Sequence, residues 1–157
     1  MMIPYGLSLA TVSLIGNSLG ANKPYQAMAN CKMVLLVSMT CAFIFVLCLY
    51  FSKKGLISLF TSDPDVSNIA ENSFIIFALA FTFDWNQCCA SGVIKGAGKQ
   101  GIASLCSLLC LIIVAMPTSY LLSFKSDWDL NGLWVGYGAS AFVLTLLYII
   151  ILSKINW

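Results

Sequence analysis

Five stretches of this chain carry apolar residues with little interruption, and the charged residues gather mostly in the segments between them. Three of the stretches read "MVLLVSMTCAFIFVLCLYF" from Met33, "IASLCSLLCLIIVAMPTSYLLSF" from Ile102 and "GLWVGYGASAFVLTLLYIIILS" from Gly132; a fourth runs from about Ile69 to Ile94. Each is long enough to cross a bilayer, since about 20 residues rising ~1.5 Å apiece match a hydrocarbon layer of about 30 Å. The opening "MMIPYGLSLATVSLIGNSLGAN" is also uncharged but turns small and polar toward its end, and reads as a helix whose earlier part lies upstream. Inside lipid the backbone must satisfy its own hydrogen bonds, and no alternating barrel strands are visible, so these stretches are expected to be helices. The expected fold is all-α: a polytopic bundle of about five membrane helices, near residues 3–20, 31–52, 69–93, 101–124 and 132–153. Between them "GANKPYQAMANCK", "SKKGLISLFTSDPDVSN", "KGAGKQG" and "KSDWDLN" supply the Gly, Pro, Asn and Asp of turns.

Composition agrees with an integral, multi-pass membrane protein: 60% of the 157 residues are hydrophobic and 9% charged, well outside the range of soluble domains. No signal-peptide cleavage pattern follows the first apolar stretch, which is expected to stay in the chain. The net charge of +2 comes from eight lysines and six acids, so no basic face exists for nucleic-acid phosphates. Lysines favour the cytoplasmic ends of membrane helices. Lys23, Lys32, Lys95, Lys99 and Lys154 fall at one end of the bundle and Lys53, Lys54 and Lys125 at the other, with Asp63, Asp65, Glu71, Asp127 and Asp129 beside the latter. The first and third connections and the C-terminus are therefore expected in the cytoplasm. Which membrane, plasma or vacuolar and vesicular, is not legible from helix length.

Several motifs dissolve on inspection. "GAGKQG" at Gly96–Gly101 has dinucleotide-fingerprint spacing but follows a membrane helix rather than a strand, and Gln100 stands where a P-loop needs Ser or Thr. It reads as a tight turn with two lysines at the headgroups. The seven cysteines lie in apolar stretches without C-x-x-C pairs and the chain has no histidine, so neither a metal site nor a cofactor is expected. Gly6, Ser8, Ala10, Gly16, Ser18 and Gly20 suit close helix packing. Pro4 and Pro117 are expected to bend their helices. No residue pairs a nucleophile with a credible base, so no enzyme and no catalytic residue is expected.

Asp84, in "FTFDWNQCCA", has no such plain reading. A carboxylate at this depth costs about 2.5–3.5 kcal/mol on insertion scales and belongs in a bundle interior or a water-filled cavity. Gln87 and Cys88, three and four residues on, share its helical face, and Gln87 is placed to hydrogen-bond it. Desolvation favours the neutral acid and an incoming cation the charged one, so such a group can exchange a proton for a cation. The competing reading is a carboxylate that merely ties one helix to another. Asp84 is the expected proton and cation site, with Gln87 and Asn86 as candidates for substrate contact.

In order, "IPYGLSLATVSLIGNSLGANKPYQAM", "FTSDPDV", "FDWNQCCASGVIKGAGKQGIAS", "MPTSYLLSF" and "NGLWVGYGAS" resemble the multidrug and toxic compound extrusion family in its eukaryotic branch. The resemblance spans nearly the whole chain and maps residues 1–157 onto a partial C-terminal lobe, about helices 8 to 12 of a twelve-helix antiporter. It implies export of cationic or amphiphilic small molecules, drugs or other xenobiotics, in exchange for protons or sodium, by rocking of two lobes in a lipid bilayer. It also implies that Asp84, before the "GVIKGAG" turn, is the cavity acid of this lobe. Leu14 and Lys95 stand where the family usually has arginine, which puts cytoplasmic contacts in question. The N-terminal lobe and the seventh helix, with the family's other cavity acid, are missing partners on this reading. A non-transporting product, either a degenerate fragment or a helix-packing partner of another transporter, is the alternative.

Overall fold

The computed structural model describes residues 2–126, 128–155 and 157; Asp127, counted above among the acids of one end, lies outside them. Five membrane-length helices follow one another: α1 (Met2–Gly20), α2 (Pro24–Phe60), α3 (Pro64–Gly96), α4 (Gln100–Lys125) and α5 (Asp129–Ser153). The described residues contain no strand.

α2 and α3 run well past the apolar stretches expected at 31–52 and 69–93. Hydropathy marks only the part of a helix that lies in hydrocarbon, whereas local signals set the ends. Both helices begin on proline, whose missing N–H and fixed φ suit the first turn. Asp63 caps α3 by accepting from the Asp65 N–H at 2.9 Å. At 37 residues α2 is about 55 Å long and projects beyond a hydrocarbon layer of about 30 Å. The expected connections around Lys23–Lys32 and Ser52–Asn68 are thus mostly helix, and the true turns are short.

α3 is the central post, packed by α1, α2 and α5 along its length and touched by α4 near its C-terminal end. Its buried residues include Ala78, Phe81, Trp85, Cys89, Val93 and Ile94. Phe45 of α2 lies 5.4 Å from the Phe81 ring and 5.5 Å from Trp85, and Trp134 of α5 meets Phe77 edge-on at 4.8 Å. α1 reaches α3 closely enough that a Cβ on Gly92 would sit 2.6 Å from the Ser8 carbonyl oxygen. The outward faces of α2 and α4 carry Leu36, Met39, Phe43, Leu105, Ile112 and Ile113, all exposed, as suits helices bathed in lipid.

Pro117 does more than bend α4. Lacking an N–H, it cannot continue the regular ladder, and just before it the helix widens into a π-helical turn at Leu111–Ala115; a second π-helical turn follows at Leu121–Lys125. The Met116 N–H bonds the Leu111 carbonyl, five residues back, while the Thr118 hydroxyl donates to the Val114 carbonyl at 2.5 Å.

Candidate functional site

The middle of α3 places Asp84 about 18 Å from the helix's C-terminal end, 6% exposed, where α1 and α5 converge. Two donors reach its Oδ1: the Tyr137 hydroxyl of α5 at 2.5 Å and Nε2 of Gln87, one turn along α3, at 3.1 Å. Oδ2 takes part in neither bond. Both partners are neutral, and the lysines lie toward the helix ends.

Asp84 borders a recess of about 470 Å³, lined also by Met2, Pro4, Tyr5, Gln87 and Cys88. That volume suits a small organic molecule. The walls are mainly apolar, with one carboxylate and one amide as fixed polar groups. α1 is held against this wall by the Ser8 hydroxyl, which donates to the Cys88 carbonyl at 2.9 Å, and by the Cys88 thiol, which points to the Pro4 carbonyl at 3.7 Å.

The structure brings Asp84, Gln87 and Cys88 together, as their i, i+3, i+4 spacing requires. It does not bring Asn86 to them. Two residues past Asp84, Asn86 faces α2: its Oδ1 accepts from the Ser38 hydroxyl at 2.9 Å and its Nδ2 donates to the Thr82 carbonyl at 2.9 Å. A helix turns about 200° over two residues, which separates these faces. Asn86 is therefore a pin between α2 and α3.

Tyr137 is the partner that the sequence did not reveal. It lies on α5, 53 residues from Asp84 along the chain. The one local hint is its flanking by Gly136 and Gly138, which lets α5 come close to its neighbours. Trp85, beside Asp84, turns into the aromatic core, where its indole Nε1 is buried without a partner among the described residues.

A family model described as MatE matches residues 1–121. Multidrug and toxin extrusion protein 1 of Danio rerio is 26% identical over 156 residues, covering 99% of this chain and 26% of its own length. Multidrug and toxin extrusion protein 2 of Mus musculus is 30% identical over 156 residues, 99% of this chain and 27% of its own. Protein DETOXIFICATION 41 of Arabidopsis thaliana is 30% identical over 162 residues, 100% of this chain and 31% of its own. The crystal structure of the eukaryotic MATE transporter AtDTX14 superposes with a TM-score of 0.92 at 26% identity, covering 99% of this chain and 35% of that one. The chain thus spans about a quarter to a third of the proteins it matches.

Proposed function

The chain belongs to the MatE family, and from that premise we propose that it forms part of the C-terminal lobe of a secondary active antiporter. In this reading the transporter exports organic cations, drugs or other xenobiotics in exchange for protons, and Asp84 is the group at which proton and cation compete. The observation that carries the reading is a buried membrane carboxylate with neutral donors only, bordering a recess large enough for a small molecule.

A carboxylate already paired with lysine has little further attraction for a cation. Asp84 is held instead by two hydrogen bonds on one oxygen, which fix its orientation without cancelling its charge. Inside a low-dielectric bundle the ionised form attracts a cation strongly, and protonation removes that attraction. Binding of a proton and binding of cargo are then mutually exclusive at one atom pair, which is the requirement for exchange. Gln87 contributes an amide to the same wall and is the candidate for contact with cargo.

The test is Asp84→Asn in the full-length protein, reconstituted with an imposed pH gradient and ethidium as cationic cargo. Ethidium efflux driven by the gradient is expected to fall to background while membrane insertion and expression stay normal. Efflux at the unsubstituted rate rejects the assignment, and efflux that follows a sodium gradient instead of the pH gradient rejects the proton as coupling ion.

A further inference from the structure

A second recess, of about 370 Å³, opens between α3 and α4 at the lysine-rich end, far from Asp84. Its lining is Lys95, Ala103, Ser104, Ser107, Leu108 and Leu111. These groups are sorted by depth. Lys95 is next to the last residue of α3, at the mouth. Ser104 and Ser107 lie about 6 and 10 Å along α4 from its start, and Leu108 and Leu111 about 12 and 16 Å. From the surface inward the wall therefore reads cation, hydroxyls, hydrocarbon.

We propose that this recess holds one anionic phospholipid, its phosphate on Lys95, its glycerol and ester region beside the two serines and an acyl chain along Leu108 and Leu111. A phospholipid presents the same three chemistries in the same order over the same distance. α4 is also the helix that the rest of the chain covers least: 11% of its most apolar window is buried, the smallest share among the five.

Charge and rigidity favour the same occupant. Lys95 and Lys99 are both exposed. The described side-chain carboxylates other than Asp84 lie at the opposite end, at Asp63, Asp65 and Glu71 and at Asp129. The back wall is fixed by Tyr148 of α5, whose hydroxyl donates to the Ala103 carbonyl at 2.8 Å and lies 2.7 Å from the Ser107 hydroxyl. Ser104 is exposed in the recess, and a hydroxyl at headgroup depth can serve a phosphate or ester oxygen.

Native mass spectrometry of the delipidated full-length protein, offered phosphatidylglycerol and phosphatidylcholine of identical chains, tests this. One phosphatidylglycerol should be retained with a preference of about ten-fold or more over phosphatidylcholine. Lys95→Gln with Lys99→Gln should abolish the preference, and Lys95→Arg should keep it. Lys53→Gln with Lys54→Gln, at the other end of the bundle, should leave it intact. Lys54, Lys95 and Lys99 are exposed and Lys53 is half-buried beside the Tyr50 ring, and unchanged circular dichroism checks that each variant folds. The proposal is overturned if the Lys95/Lys99 double variant keeps the preference or if the Lys53/Lys54 control loses it equally. Displacement of the lipid by millimolar inorganic phosphate overturns it as well, by showing a site for the free anion.

Discussion

The two hydrogen bonds on Asp84 differ in what they can do. Gln87 comes from the same helix and moves with the carboxylate, whereas Tyr137 comes from α5 and ties the acid to a second element. Tyr137→Phe removes that tie while keeping the ring. A single hydrogen bond of this kind contributes about 0.5–1.5 kcal/mol net, and up to about 3 kcal/mol where one partner is charged. Coupled efflux by Tyr137→Phe is therefore expected to slow several-fold, and its thermal midpoint in detergent to fall when Asp84 is present but not when Asp84 is already replaced by alanine. Equal losses in both backgrounds would mean that Tyr137 acts on packing alone. The sequence made half of this site legible. Asp84 and Gln87 stand out because a helix brings i and i+3 together whatever else the chain does. Tyr137 did not stand out because its meeting with Asp84 depends on how α5 docks, which local spacing does not encode. Asn86 lies apart from Asp84 for the complementary reason: adjacency in sequence places a helical residue on another face.

At the level of elements the packing rests on close approach, since apolar surface alone gives helices no reason to associate in lipid. Where α4 and α5 cross, a Cβ on Gly136 would lie 2.5 Å from the Ser119 backbone nitrogen and 2.6 Å from its Cα. No rotamer of Ser119 relieves a clash with its own backbone. Gly136→Val is expected to force the two helices apart at a cost of about 1–3 kcal/mol, read as a lower thermal midpoint in detergent. Gly6 on α1 has nothing within 4 Å of such a Cβ. Gly6→Ala should therefore be neutral or stabilise by up to about 1 kcal/mol through helix propensity. If both substitutions shift the midpoint alike, close approach is not what holds α4 to α5. The number and type of elements were plain from the apolar stretches, but their ends were not. Lys32, Lys53 and Lys54 end the apolar pattern without ending the helix, and Pro24, Asp63 and Pro64 mark the ends that the structure takes. Pro117 announced an irregularity in α4, but whether the helix would kink or widen depended on the neighbouring helix and on Thr118.

For the whole molecule, the two ends differ in charge and the helices alternate in direction. Ile155 and Trp157 share a recess with Pro24, Tyr25 and Met28, so the first turn and the chain's last residues meet at one end. Ile69 and Asn72 meet Trp128 and Asn131 at the other. Five of the eight lysines belong to the first end, and the described acids apart from Asp84 to the second. Because lysines near helix ends are retained on the cytoplasmic side, the turn around Ser62 is expected outside and Lys154 inside. Ser62→Cys and Lys154→Cys, made separately in the full-length protein, report this through a membrane-impermeant maleimide. The seven native cysteines lie within the helices and set the background measured on the unsubstituted protein. With the protein expressed in the plasma membrane, Ser62→Cys should label in intact cells, and Lys154→Cys only after permeabilisation. The opposite pattern would invert the bundle and place the Lys95 recess against the outer leaflet, where anionic lipids are scarcer. The labelling result therefore bears on the lipid site, while leaving the chemistry proposed for Asp84 untouched, since that acid lies between the two ends.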